Sequence, residues 1–212
     1  MWYPGATPPK YLDGSMPGDY GFDPLRLGAN AASLPYYAEA ERQNGRWAMA
    51  AVVGVLFVEA TGTATGTDWL NVGASEGALG SFDLKTLIAI QAAFFGVAEA
   101  LRYNAWKANP AGPFIDPAGQ ISDEKRVKEI KNGRLAMLAY VGFVSQALNR
   151  GMGPIACLQA HMADPWHNNI YTSGVGLEAT FAAVALACVP SVIEAQRMLG
   201  GSDDEEFRPL PF

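Results

Sequence analysis

The chain has 212 residues, 50% of them hydrophobic and only 17% charged, with 23 glycines and a net charge of −6. This balance leans away from a water-soluble domain and toward a membrane protein, and a negative charge with no sustained basic stripe sets nucleic acid aside as a partner. Cys157 and Cys188 stand singly in apolar surroundings without CxxC spacing, so they read as small buried hydrophobes rather than a disulfide.

In chain order, residues 1–34 read as an extended loop punctuated by Pro-Gly, Pro-Pro and Asp-Pro turns, with no apolar or Arg/Ser-rich targeting stretch. Ser33 and Pro35 carry helix-start chemistry, and a helical pattern follows over residues 35–60. Residues 61–83 are rich in Gly, Thr and Ser and carry no Lys or Arg. A second helix is predicted over 84–107, with Gln91, Glu99 and Arg102 inside it. The string "NPAGPFIDPAGQ" breaks it, and Ser122, Asp123 and Glu124 open a third helix that reaches about residue 150.

At about 1.5 Å per residue, each of the three is long enough to span a hydrocarbon core of about 30 Å. Loop charges orient them. Lys10 and Arg26 precede the first helix, and Lys107, Lys125, Arg126 and Lys128 separate the second from the third. The loop between the first and second carries none, which places the N-terminus on the cytoplasm-equivalent side.

The first and third helices share a string. "ERQNGRWAM" at 41–49 returns as "EIKNGRLAM" at 129–137, and each copy has an Asp-Pro lead-in, "GFDP" at 21–24 and "FIDP" at 114–117. Both helices leave the same side, so a two-fold axis along the membrane normal can relate them. Glu41, Arg46, Glu129 and Arg134 therefore sit at matched positions, where each unpaired charge costs about 2.5–3.5 kcal/mol at the bilayer centre. The symmetric remedy is exchange as the two helices cross, Glu41 with Arg134 and Glu129 with Arg46. Gly45, Ala48, Gly133 and Ala136 supply the small surface that permits close approach.

Pairing leaves other polar groups to explain. Asn44 shares a face with Glu41, and Asn132 with Glu129. Gln146 returns to nearly the azimuth of Asn132, Gln91 and Glu99 share one side of the middle helix, and His161 follows in "LQAHMADP". These donors suit a hard cation such as Mg²⁺ but are too dispersed for one site. They fit either several metallated macrocycles, each taking one axial ligand, or interhelical hydrogen-bond glue and ordinary interfacial polarity. Spacing alone leaves both open.

The strings "ExxNGRWAM", "ExxNGRLAM", "GDYGFDPLRLG" and "HMADPWHNN" closely resemble the chlorophyll a/b-binding, light-harvesting antenna family of chloroplasts, over about residues 2–172. The resemblance implies an all-α membrane protein with three transmembrane helices, the first and third crossed and pseudo-two-fold related. Residues 1–172 would form the pigment-binding domain and 173–212 an extension. It implies Glu41 and Glu129 as axial ligands to chlorophyll magnesium while paired to Arg134 and Arg46, with Asn44, Asn132, Gln146, His161 and Glu99 as further ligands. Gln91 matches another position, acting through water, and Arg102 accompanies Glu99. A backbone carbonyl near Tyr11 resembles an N-terminal site. Asp23 and Asp116 resemble the residues that hold the polar ends of two carotenoids of the lutein or violaxanthin type. Chlorophyll a, chlorophyll b, carotenoids and a phospholipid are the implied cofactors. The implied location is the thylakoid membrane, N-terminus stromal, docked to the photosystem I core as a monomer or, as the favoured expectation, a heterodimer with neighbouring antenna subunits, among thylakoid lipids.

Two departures matter. Many family members have His where this chain has Asn44, a choice associated with a red-shifted pigment pair in photosystem I antennae. And the chain continues beyond the usual end with an apolar stretch at 174–199, expected to form a fourth transmembrane helix kinked at Pro190, the alternative being an interfacial segment, with His167 interfacial rather than a ligand. Within the superfamily the rival is a photoprotective quencher; from another class, a small membrane transporter that uses its intramembrane charges as a pathway. An enzyme is the weakest reading, since no nucleophile–base constellation is present.

Overall fold

The computed structural model describes residues 2, 8–65, 69–70, 83–110 and 119–176, with scattered positions between 178 and 195. Among these the chain is all-helical. Four α-helices follow in order: α1 (Leu34–Thr65), α2 (Leu84–Ala108), α3 (Asp123–Arg150) and α4 (Pro154–Ala163). Short 3₁₀ turns lie at Leu27–Ala29 and Ile170–Thr172.

The starts of α1, α2 and α3 fall where the sequence puts them, whereas α4 was not expected there and α1 runs on past its expected end near residue 60. Thr61 is accommodated within it, its hydroxyl donating back to the carbonyl of Val58 at 3.3 Å. α1 over Leu34–Gly62 and α2 over Leu84–Ala108 are each long and apolar enough to cross a membrane. α3 has the length, but its first turns, "DEKRVKEIK", are charged. The expected fourth helix lies for the most part outside the described residues. So do Asp116 and the second Asp-Pro loop.

One compact unit joins residues 1–57 to 123–212, and a second comprises 58–122. In the first, the buried apolar set is small: Leu12, Ala48, Val55, Val127, Ile130, Ala136 and Ala147. The large side chains face outward instead, with Phe57 67%, Leu138 74% and Leu148 80% exposed. A water-soluble bundle would bury these first. Apolar surroundings therefore do not mean burial in this chain. That is why the expectation for the cysteines fails: Cys157 is only half-buried and Cys188 is exposed, and both are free thiols. The second unit is carried by α2, which is rich in apolar residues and has none of them buried.

The N-terminal loop is more organised than a run of turns. Asp19, which is buried, accepts the backbone N–H of Gly14 on one carboxylate oxygen (2.8 Å) and that of Gly21 on the other (2.9 Å). The backbone N–H of Trp2 donates to the carbonyl of Tyr20, and the Trp2 ring meets Phe22 edge-on. This closed loop lies against α3, whose Ile130 fills the space above Gly18.

Candidate functional site

α1 and α3 meet at Gly45 and Gly133. A Cβ built on Gly45 would stand 3.0 Å from the Gly133 Cα, and one built on Gly133 would stand 2.9 Å from the Gly45 Cα. Each glycine faces the other's backbone, so even a methyl group forces the helices apart. The near equality of the two distances is the two-fold relation expected from the repeated string.

On either flank of this contact the charges are exchanged as expected. Arg134 Nε donates to Glu41 Oε1 at 2.7 Å and its Nη2 to Glu41 Oε2 at 3.3 Å. Arg46 Nε donates to Glu129 Oε1 at 2.5 Å. The copies are not identical: Arg134 also reaches the N-terminal loop, with Nη1 donating to the carbonyl of Gly18 at 2.7 Å. Gly18 has φ +77°, a conformation that turns its carbonyl toward the guanidinium and that L-residues with a Cβ rarely adopt.

The two asparagines repeat each other as well. Asn44 Nδ2 donates to the carbonyl of Ala40 at 2.9 Å, and Asn132 Nδ2 to that of Lys128 at 2.8 Å. Each amide nitrogen is thus tied back to its own helix while the amide oxygen, a good ligand for a hard cation, is presented on the exposed side. On α2, Glu99 is held by Arg102 one turn on, through Nε at 2.9 Å and Nη2 at 2.8 Å, and Gln91 is exposed two turns earlier. Among the described residues no three His, Cys, Asp or Glu side chains gather into a metal cluster; the donors stand one by one.

Gln146 and His161 come together, which nothing in their spacing announces. They line one cleft of about 710 Å³, built by the end of α3, α4 and the turns after it, with Leu56, Phe143 and Leu158 among its apolar walls. The His161 Nδ1 lies 2.7 Å from the backbone carbonyl of Asn168. A carbonyl can only accept, so Nδ1 carries a proton, and in the neutral ring Nε2 has the lone pair that a ligand would take. His167, by contrast, is exposed and caps the turn through Asp164 Oδ2 at 2.8 Å.

Tyr11 and Asp23 meet directly, the phenol donating to Asp23 Oδ2 at 2.8 Å. The same carboxylate accepts the backbone N–H groups of Leu27 (3.1 Å) and Gly28 (2.7 Å), so it organises the entry to α1. Sequence reasoning missed Gly18, Asp19, Arg150 and Asn168. The signal for the first two was the pair of glycines flanking "GDYG" after a proline, a turn in which a buried Asp accepts local N–H groups.

A family profile described as Chlorophyll A-B binding protein matches residues 8–148. Among relatives, Chlorophyll a-b binding protein 6, chloroplastic, of Arabidopsis thaliana is 43% identical over 188 residues, covering 80% of this chain and 77% of its own length. Photosystem I chlorophyll a/b-binding protein 5, chloroplastic, of the same plant is 40% identical over 201 residues, covering 80% and 78%. Chlorophyll a-b binding protein 6A, chloroplastic, of Solanum lycopersicum is 42% identical over 186 residues, covering 80% and 76%. The chain belongs to the chlorophyll a/b-binding family.

Proposed function

We propose that this chlorophyll a/b-binding protein is a light-harvesting antenna that serves photosystem I from the thylakoid membrane of the chloroplast. The observation that carries the reading is the duplicated site at the helix crossing. Two carboxylates are each neutralised by an arginine of the other helix, and two amides are each anchored so that their oxygens point outward. Relatives named as photosystem I proteins support the choice of partner.

The residues fit the pigment. A carboxylate offers about four lone-pair sites, so Glu41 and Glu129 can take magnesium while still bonded to arginine. Glutamate and arginine cancel, which leaves a nearly neutral site in a medium where a lone charge is expensive. Asn44, Asn132, Gln146, His161 and Glu99 hold further chlorophylls a and b, Gln91 through water, and the carbonyl near Tyr11 one more. When bound, chlorophyll supplies light absorption and the dipole coupling that passes excitation on. The protein's part is to fix where each ring sits, how it is turned and what polar groups lie beside it. Asp23 and Asp116 hold the polar ends of two carotenoids, and Arg46, Arg102 and Arg134 hold the carboxylate ligands in place.

We read α3 as a third span in which the exchange pairs satisfy Glu129 and Arg134 while Lys128 pairs with Glu124 nearer its start, and 174–199 as a fourth, with residues 1–172 the pigment-binding domain and the N-terminus stromal. A heterodimer with another antenna subunit, with phospholipid at its rim, completes the assembly. Low-temperature absorption and fluorescence of the gently purified protein, with pigment extraction, is the test. Chlorophyll bands with emission well to the red are expected, and Asn44→His is expected to abolish the red component. A colourless helical product that also fails pigment reconstitution overturns the antenna; unchanged emission from Asn44→His overturns the role of Asn44 alone.

A further inference from the structure

The end of α3 and the segment after α4 are joined by one side-chain bond, Arg150 Nη2 donating to Asn168 Oδ1 at 2.9 Å. Asn168 is otherwise committed to the last turn of α4 and the Asp164 that follows it. Its Nδ2 donates to the carbonyls of Ala160 (3.2 Å) and Asp164 (3.3 Å), and its backbone N–H donates to Asp164 at 3.0 Å. Its own carbonyl is the group that accepts from His161 Nδ1. Both residues are half-buried and both line the cleft that holds Gln146 and His161.

We infer that Arg150 and Asn168 are positioning residues for His161, forming a relay from α3 that selects the tautomer and the direction of its metal-binding nitrogen. The inference rests on His161 being a chlorophyll ligand. The chain of causes is short. The Asn168 carbonyl can accept but not donate, so it pins the proton to Nδ1 and leaves Nε2 as the ligand atom. That carbonyl stays in place because the Asn168 side chain bridges the carbonyls of Ala160 and Asp164, at the end of α4, to Arg150. Arg150 lies one turn beyond Gln146 on α3, so the same bond sets the spacing between the two candidate ligands of the cleft. A partner of this kind, bonded to the far nitrogen of a ligating histidine, typically changes metal affinity by about 10–100-fold.

The test is pigment reconstitution of the full chain, titrated with chlorophyll and read as bound chlorophyll per protein and as the absorption difference from the parent. His161→Phe is expected to lose the chlorophyll of that site at every concentration. Arg150→Met is expected to lose the same band at limiting chlorophyll and to need about 10-fold more for recovery. Arg150→Lys, which keeps a donor, is expected to restore most of the occupancy, and Arg150→Met added to His161→Phe to lose nothing more. A merely structural role would lower thermal stability without singling out that band. If His161→Phe loses its chlorophyll and Arg150→Met titrates like the parent, the relay is overturned while the ligand stands. If His161→Phe loses none, the ligand reading falls and the relay with it. Should Arg150→Met fail to refold, Asn168→Ser, which shortens the bridge without removing the arginine, is read against the same outcomes.

Discussion

The two flanks of the helix crossing carry the same residues and are not equally tied. Arg46 and Glu129 form a pair between α1 and α3, whereas Arg134 holds Glu41 and the Gly18 carbonyl together, joining α1, α3 and the N-terminal loop at one guanidinium. A repeated string thus yields a repeated ion pair, and what lies around each copy decides what else that pair supports. Arginine suits the busier flank because its planar fork can serve a carboxylate and a carbonyl at once, which a lysine ammonium cannot do with fixed geometry.

The joint is most vulnerable at its centre. Gly133→Leu places a side chain against the Gly45 backbone, which cannot yield, and should cost about 3 kcal/mol or more. We expect no pigmented complex from it, and an equal failure from Gly45→Leu, as judged by reconstitution yield. Next come the arginines. In the membrane, Arg46→Leu or Arg134→Leu strands a carboxylate at a cost of about 3–5 kcal/mol. Arg134→Leu should cost about 1 kcal/mol more, because the Gly18 carbonyl also loses its donor. Equal melting temperatures for the two variants would mean that the loop contact adds nothing.

Charge reversal sharpens the point. Exchanging partners as Arg46→Glu with Glu129→Arg should recover much of the stability lost in either single variant. The same exchange as Glu41→Arg with Arg134→Glu should recover less, since a glutamate at 134 cannot donate to the Gly18 carbonyl. A smaller effect is expected from Gly18→Ala. Its φ of +77° and a Cβ position 2.6 Å from Ile130 Cγ2 should together cost about 1–2 kcal/mol. The readout is faster proteolysis of the N-terminal loop with the pigment complement unchanged.

The smallest effect concerns Asp13, whose carboxyl is held below the usual carboxylate range by the Ser15 hydroxyl and amide. A lowered folded-state value means the contribution is present at neutral pH and is lost only as pH falls through that value. Loop proteolysis should therefore not change between neutral and mildly acidic buffer.

How much of this was legible in the sequence follows from what was repeated. The exchange pairs, the glycine contact and the shared face of Glu41 with Asn44 could be read because one copy predicts the other. The starts of α1, α2 and α3 were legible from capping residues and apolar periodicity. The Gly18–Arg134 bond, the Asp19 node and the Arg150–Asn168 bond were not, because each is made once, between segments of no recurring pattern. The cleft shared by Gln146 and His161 was hidden for another reason. It depends on how α4 turns back along α3 after Gly151, and the angle of a turn is not a periodicity.

The placement of the pairs on opposite flanks has a mechanical consequence. Glu41 and Arg46 are five residues apart on α1, about 140° around the helix, and so are Glu129 and Arg134 on α3. Rolling α1 about its own axis to slacken one pair therefore stretches the other. The glycines serve as the pivot and the ion pairs as opposed stays, so the joint can neither roll nor scissor without breaking a bond. Whatever is fastened to these two helices inherits a fixed bearing as well as a fixed separation, which is what an instrument of aligned parts requires.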